Sequence, residues 1–172
     1  MRKSNLVTNT GHRFVTRTSL AYTIHIHTPD DSWLFRSVGL VKAGEKQALR
    51  QAIRLRNELG LSLWGKHWKR VLHEPELFTR LPRSLEPKIV HKLRPSQSDA
   101  NRVYRYYIAR WSEFDVGGHQ TIRSALANID KMGERAAYNK AKRELLEAHK
   151  DSIDIMLFMG RLNLDDLRLK GC

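Results

Sequence analysis

Apolar and polar side chains alternate with period two along Tyr22-Thr-Ile-His-Ile-His27. Tyr22, Ile24 and Ile26 share one side; Thr23, His25 and His27 share the other. That is the signature of a half-buried strand. His12–Thr18 has the Phe, Val and Thr content of a preceding strand, and Leu34–Val41 reads as a third, after turn chemistry in Pro29-Asp-Asp-Ser32. The period then lengthens. A helix is predicted from about Ala43 to Leu59, with Gly60 as its stop. Ala48 and Ala52 fall on one face with Leu55 and Leu59, and such small side chains let a helix sit close over a sheet. Lys46, Arg50, Arg54 and Arg56 form the opposite face, either solvated or reaching phosphates. Residues 61–73 predict a short helix with Trp64 and Trp68 on one side.

The same succession returns further on. Lys88–Leu93, Tyr106–Trp111 and Thr121–Leu126 read as strands, and a helix over about Gly133–Lys150 carries Ala137, Ala141, Leu145 and Ala148 as its sheet-facing stripe. Both series pass into their helix through a Gly-Glu-basic step, Gly44-Glu-Lys and Gly133-Glu-Arg, followed by alanines four apart. One small unit used twice explains this order. Pro75, Pro82, Pro87 and Pro95 punctuate the connector, and the boundary is placed near residue 82. The expected fold is α+β: two tandem units, residues 1–81 and 82–172, each a three-stranded antiparallel sheet packed on one α-helix. An apolar helical tail from Ile153 to Leu169 follows the second, with Gly160 interrupting it and Asn163 capping a last turn. The tail either packs on its own chain or makes a homodimer contact.

Charge changes the picture most. Thirty-one Lys and Arg face eighteen Asp and Glu, a formal net charge of +13. Residues 1–100 hold 18 basic and 8 acidic side chains, and no acid precedes Asp30. Such a field attracts a polyanion and speeds encounter with it. No stretch of about twenty apolar residues is present, and no basic amphipathic helix with a large apolar face stands out. The single cysteine, Cys172, excludes an intramolecular disulfide and a thiolate cluster. The expectation is a soluble, cytoplasmic, nucleoid-associated protein with no membrane partner.

Tyr107-Ile-Ala-Arg-Trp111 with Lys131-Met-Gly-Glu-Arg-Ala-Ala137, and Tyr22-Thr-Ile-His-Ile26 with Ala43-Gly-Glu-Lys-Gln-Ala48, resemble the Apetala/ethylene-response-factor type of DNA-binding domain, in the versions carried by phages and mobile elements. The resemblance covers most of residues 12–60 and 88–149. It implies that the exposed sheet face enters the major groove, which is about 12 Å wide. Carried over by position, it assigns DNA contact to Arg13 and Arg17, then Thr23, His25 and His27, then Arg36 in the first unit. In the second it assigns Lys92, Arg94, Arg110 and Arg123. Arg110 faces DNA if Tyr107, Ala109 and Trp111 face the helix; with Tyr106 and Ile108 inward, Arg105 and Tyr107 take its place, because one residue of slip inverts a strand's faces. Arg36 carries the same ambiguity.

No cofactor, metal or catalytic residue is expected. His25 and His27 share a strand face without a third ligand placed by spacing. Asp30 and the Glu86-Pro-Lys88 triplet echo a restriction-type metal set, but sit in separate repeats. The reading is a non-enzymatic, sequence-selective double-stranded DNA-binding protein, a transcriptional regulator of a bacterium, phage or mobile element. The alternatives are an RNA-binding module, which would expose Tyr106 or Tyr107 and Trp111 for stacking, and a mobile-element nuclease or recombination factor.

Overall fold

The computed structural model describes residues 8–41, 44–93, 103–115 and 118–171. It is α+β, with two separate three-stranded antiparallel sheets and several helices. The chain divides into two compact units, Met1–Leu81 and Pro82–Cys172.

In the first unit β1 (Val15–Arg17), β2 (Ala21–His27) and β3 (Trp33–Gly39) lie in the order β1-β2-β3. Tyr22, Ile24 and Ile26 are buried, as their alternation predicts. β1 is shorter than the strand expected over His12–Thr18 because Phe14 adopts φ 66°, which breaks the extended run before Val15. β3 ends at Gly39 rather than running to Val41. α1 spans Glu45–Trp64 and touches β2 and β3; α2 (Trp68–His73) and α3 (Leu77–Arg80) follow.

Gly60 does not stop α1. The helix continues through it and ends before Gly65, which takes φ 49°. A Cβ on Gly60 would lie 2.3 Å from the Trp68 ring, so glycine is required here for close approach rather than for termination. The buried stripe of α1 is Ala48, Ala52, Arg56, Gly60 and Trp64, spaced four apart. Arg56 therefore leaves the solvated face expected for it: Nη1 donates to the Arg13 carbonyl at 3.0 Å, and Nε and Nη2 donate to Asn57 Oδ1.

In the second unit β4 (Lys88–Leu93), β5 (Val103–Phe114) and β6 (Gln120–Asn128) lie in the order β4-β5-β6. α4 (Ile129–Met132) is capped by Asn128, whose Oδ1 accepts from the Lys131 backbone N–H at 2.9 Å. α5 (Glu134–Ala148) touches β5 and β6 and buries Ala137, Tyr138, Ala141, Lys142 and Leu145, leaving Ala148 exposed. Lys142 has no solvent exposure. Its Nζ donates to Glu86 Oε1, while Tyr138 donates to Glu86 Oε2 at 2.6 Å, so the buried lysine has a carboxylate partner. Glu86 thus fastens the chain entering β4 to α5.

α6 (Ile153–Phe158) opens the tail. Ile155, Met156, Met159 and Leu162 are buried within the chain, while Phe158 and Leu164 are exposed. Asn163 and Asp166 cap one turn reciprocally: the Asp166 N–H donates to Asn163 Oδ1 and the Asn163 N–H to Asp166 Oδ2.

Details recur between the units. The Tyr22 hydroxyl donates to Glu45 at 3.5 Å, and the Tyr107 hydroxyl to Glu134 at 3.3 Å. Gly44 and Gly133, just before those glutamates, share φ near 75° and ψ near 157° (72°, 159° and 80°, 155°). The register repeats too: Tyr22 pairs with Val38 and Tyr107 with Ala127, and each partner stands six residues before the glycine that opens the helix.

Candidate nucleic-acid interface

Side chains directly opposite in an antiparallel pair project to the same side, so register assigns faces. In the second sheet Tyr107, Ala109 and Ala127 are buried, and Tyr107 lies edge-on to Tyr138 of α5 with centroids 5.4 Å apart. That is the helix side. Trp111 pairs with Arg123 on this same side; Arg110 pairs with Ser124 on the other, open side. Lys88 pairs with Ile108, and Lys92 with Tyr104, so both lysines join Arg110 there. All three cations are exposed. The one acid these strands carry, Glu113, lies on the helix side, so among β4, β5 and β6 the open side holds no Asp or Glu. Arg83, Lys88 and Arg110 also border a groove of about 830 Å³ lined by Ile108 and Ile122, with Glu86, the partner of Lys142, on the same wall.

Arg123 is corrected to the helix side, where its Nε donates to Glu113 Oε2 at 2.9 Å. The Trp111 indole donates to Glu113 Oε1 at 3.2 Å. Arg123 and then Trp111 hold the Glu113 carboxyl below the usual carboxylate range. Arg94 lies outside the described residues. Neither Tyr106 nor Tyr107 offers a stacking face: both are buried.

The first sheet resolves differently. Ile24 pairs with Arg36 and Tyr22 with Arg17, so both arginines are on the helix side: a correction to the open-face placement expected for Arg17, and for Arg36 the other of the two sides left open. Arg17 Nε meets Glu45 at 2.8 Å. Arg36 is exposed at the rim of β3, and its Nη1 donates to the Phe35 carbonyl at 2.8 Å. Arg13 precedes β1 instead of lying on it. Its Nη2 donates to the Pro75 carbonyl, its guanidinium stacks over Phe14, and burial pushes its pKa down to about 10. It is a brace of the fold.

Thr23, His25 and His27 do lie on the open side, with Thr16, Trp33, Phe35 and Ser37. Thr23 donates to the Thr16 carbonyl at 3.3 Å. His25 meets Phe35 edge-on with centroids 4.6 Å apart. His27 is the most committed: it meets Trp33 edge-on, stacks on Phe78 of α3 at 4.2 Å, and lies 3.5 Å from Asp31. Among β1, β2 and β3 this open side carries no Lys or Arg.

Trp33 and Phe35 were not among the expected contacts, yet they are 45% and 56% exposed. Their signal lay in the turn: with Tyr22, Ile24 and Ile26 inward, an antiparallel return pairing His27 with Trp33 turns Trp33 and Phe35 outward. Lys88 was missed for a similar reason, since it shares the parity of Lys92.

The residues that echoed a nuclease set do other things. Asp30 Oδ1 accepts from the Thr28 hydroxyl, the Ser32 hydroxyl and the Ser32 N–H, and these bonds lower its pKa while closing the β2–β3 turn. Glu86 is held by Lys142 and Tyr138. Among the described residues no group of three or more His, Cys, Asp or Glu is placed to hold a metal ion, and no helix is long and apolar enough to cross a membrane. No protein-family model, curated protein or solved structure matches the chain.

Proposed function

We propose that this protein binds double-stranded DNA with sequence selectivity and regulates transcription. In this reading it is two copies of one module, each a three-stranded sheet braced from behind by a helix. The recurring Tyr–Glu bond, the recurring glycine conformation and the recurring register support that duplication.

One observation carries the proposal: the open side of the second sheet presents Lys88, Lys92 and Arg110 and no carboxylate. A duplex rewards that arrangement. Lysines neutralise phosphates as point charges, and an arginine fork donates two parallel bonds to a guanine edge or a phosphate. A solvated surface built only for solubility intersperses both signs. Here the one acid of the three strands, Glu113, lies on the helix side, where Arg123 pairs with it, and Arg110 lies on the other.

The test is selection of bound sequences from a random duplex library at about 150 mM salt, which screens loose contacts. An enriched motif, lost on Arg110→Ala, supports the reading. Absence of any enrichment, or an equal loss of affinity for all sequences, reduces Arg110 to a backbone contact and removes the selectivity.

A further inference from the structure

The first sheet's open side is built unlike the second's, and its chemistry points to another ligand. Trp33 and Phe35 stand two residues apart on the edge strand β3, both exposed, both on the open side. They are held in place. Each meets an imidazole of β2 edge-on: Phe35 meets His25 at 4.6 Å, Trp33 meets His27 at 5.1 Å. Phe78 then stacks on the far side of His27 at 4.2 Å and contacts Trp64 at 5.4 Å. The indole of Trp64 donates to the His27 carbonyl at 2.7 Å, anchoring the row to the core. A folding argument does not account for two large rings left in solvent when β3 buries neither of them.

We propose that Trp33 and Phe35 form a stacking platform for the unpaired bases of a single-stranded nucleic acid. Spacing argues for single strands. Side chains two apart on a strand are separated by roughly 6.5–7 Å, about twice the 3.4 Å rise between bases stacked in a duplex. Bases seated on neighbouring rings are therefore unstacked from each other, and a duplex, whose base faces are covered, has none to offer. Charge complementarity argues for a polyanion over a protein partner. Residues 1–81 carry 14 basic and 6 acidic side chains, and although the strands place no Lys or Arg on the open side, the exposed Arg36 reaches round the edge strand to bond the Phe35 carbonyl, where a phosphate would follow a stacked base. Aromatic faces plus flanking cations are what sequence-tolerant single-strand binding requires. The inference does not rest on the duplex reading of the second sheet.

The experiment titrates the full chain with labelled thymidine and uridine 15-mers and with a mixed-sequence duplex at about 150 mM salt. Removing one ring is expected to weaken single-strand binding roughly 5- to 150-fold, and Trp33→Ala with Phe35→Ala more. Duplex affinity should stay within about twofold, because the cations of the second sheet are untouched. Phe35→Tyr, which keeps a ring, should restore most of the loss and shows that the fold is intact. A larger loss on one 15-mer shows which of the two strands leans more on the rings. The platform is overturned by less than a twofold loss on both 15-mers, or by an equal loss on the duplex. Wild-type protein that binds the 15-mers but no duplex sinks the duplex reading and leaves this one standing.

Discussion

The two sheets share strand order and register and differ on the side that faces outward. One presents Lys88, Lys92 and Arg110 from strands with no acid on that side; the other presents Trp33, Phe35 and two histidines from strands with no Lys or Arg on that side. Inward, the pattern is alike: a tyrosine bonded to the first glutamate of a helix, and alanines four apart below it. Residues that hold the sheet are constrained by packing, whereas residues on the far side answer only to solvent and ligand. Similar supports with dissimilar faces are what divided binding tasks would produce.

Neutralising the second sheet's cations is the strongest way to break the comparison. Lys88→Ala, Lys92→Ala and Arg110→Ala together should lower duplex affinity by about a hundredfold or more, and reduce the slope of log K against log salt by about 3. A salt titration reads this directly. If the slope is unchanged, phosphates are met elsewhere.

Next comes Gly60→Ala, which probes a helix feature confined to the first unit. The position is followed by one more turn of α1 and by Trp68, whereas in the second unit α5 has ended by His149. Alanine gains up to about 1 kcal/mol of helix propensity, but its Cβ would sit 2.3 Å from the Trp68 ring. Overpacking wins, at about 2–3 kcal/mol net loss in denaturant unfolding. The substitution should leave the second sheet's duplex binding intact.

The recurring hydroxyl bonds give a smaller effect. Tyr107→Phe should cost about 1 kcal/mol. Tyr22→Phe should cost less, because its bond is longer and Glu45 keeps Arg17 as a partner. Equal costs would mean that the two bonds contribute alike despite their lengths.

The smallest effect is acid-dependent. The Arg105 backbone N–H and guanidinium hold Asp130 below its ordinary value. A carboxylate with a lowered native pKa adds stability above its unfolded value, near pH 4, and loses it as pH falls through the native value. Arg105→Ala should therefore unfold more readily than wild type at pH 7, and the two should converge in acid. The first unit has exposed Leu20 and Val41 at the matching positions. Leu20→Arg with Val41→Asp should add at most about 1 kcal/mol there, as exposed pairs do.

Much of this was legible in the chain. Clean alternation from Tyr22 to His27 fixed a strand and its inward side, and the Gly-Glu steps marked both helix starts. The residues that resisted did so for physical reasons. Consecutive Tyr106 and Tyr107 make either parity plausible, and only contact with Tyr138 decides it. Arg36 and Arg123 sit at strand positions whose side depends on the turn that sets the pairing, a non-local quantity. Gly60 looks like a helix stop by composition; its role comes from a ring eight residues later. Glu86 and Lys142 are 56 residues apart, and no local pattern announces that they meet.

The shared register has a consequence for how such a protein changes over generations. Because strand parity separates most positions that pack on the helix from those that face outward, substitutions at exposed outward positions such as Trp33, Phe35 and Arg110 weigh little on folding. Either unit is therefore free to drift in vocabulary while keeping its grammar. Exchanging Trp33, Phe35 and His25 with their register equivalents Ile122, Ser124 and Arg110 would amount to moving a word from one sentence to another.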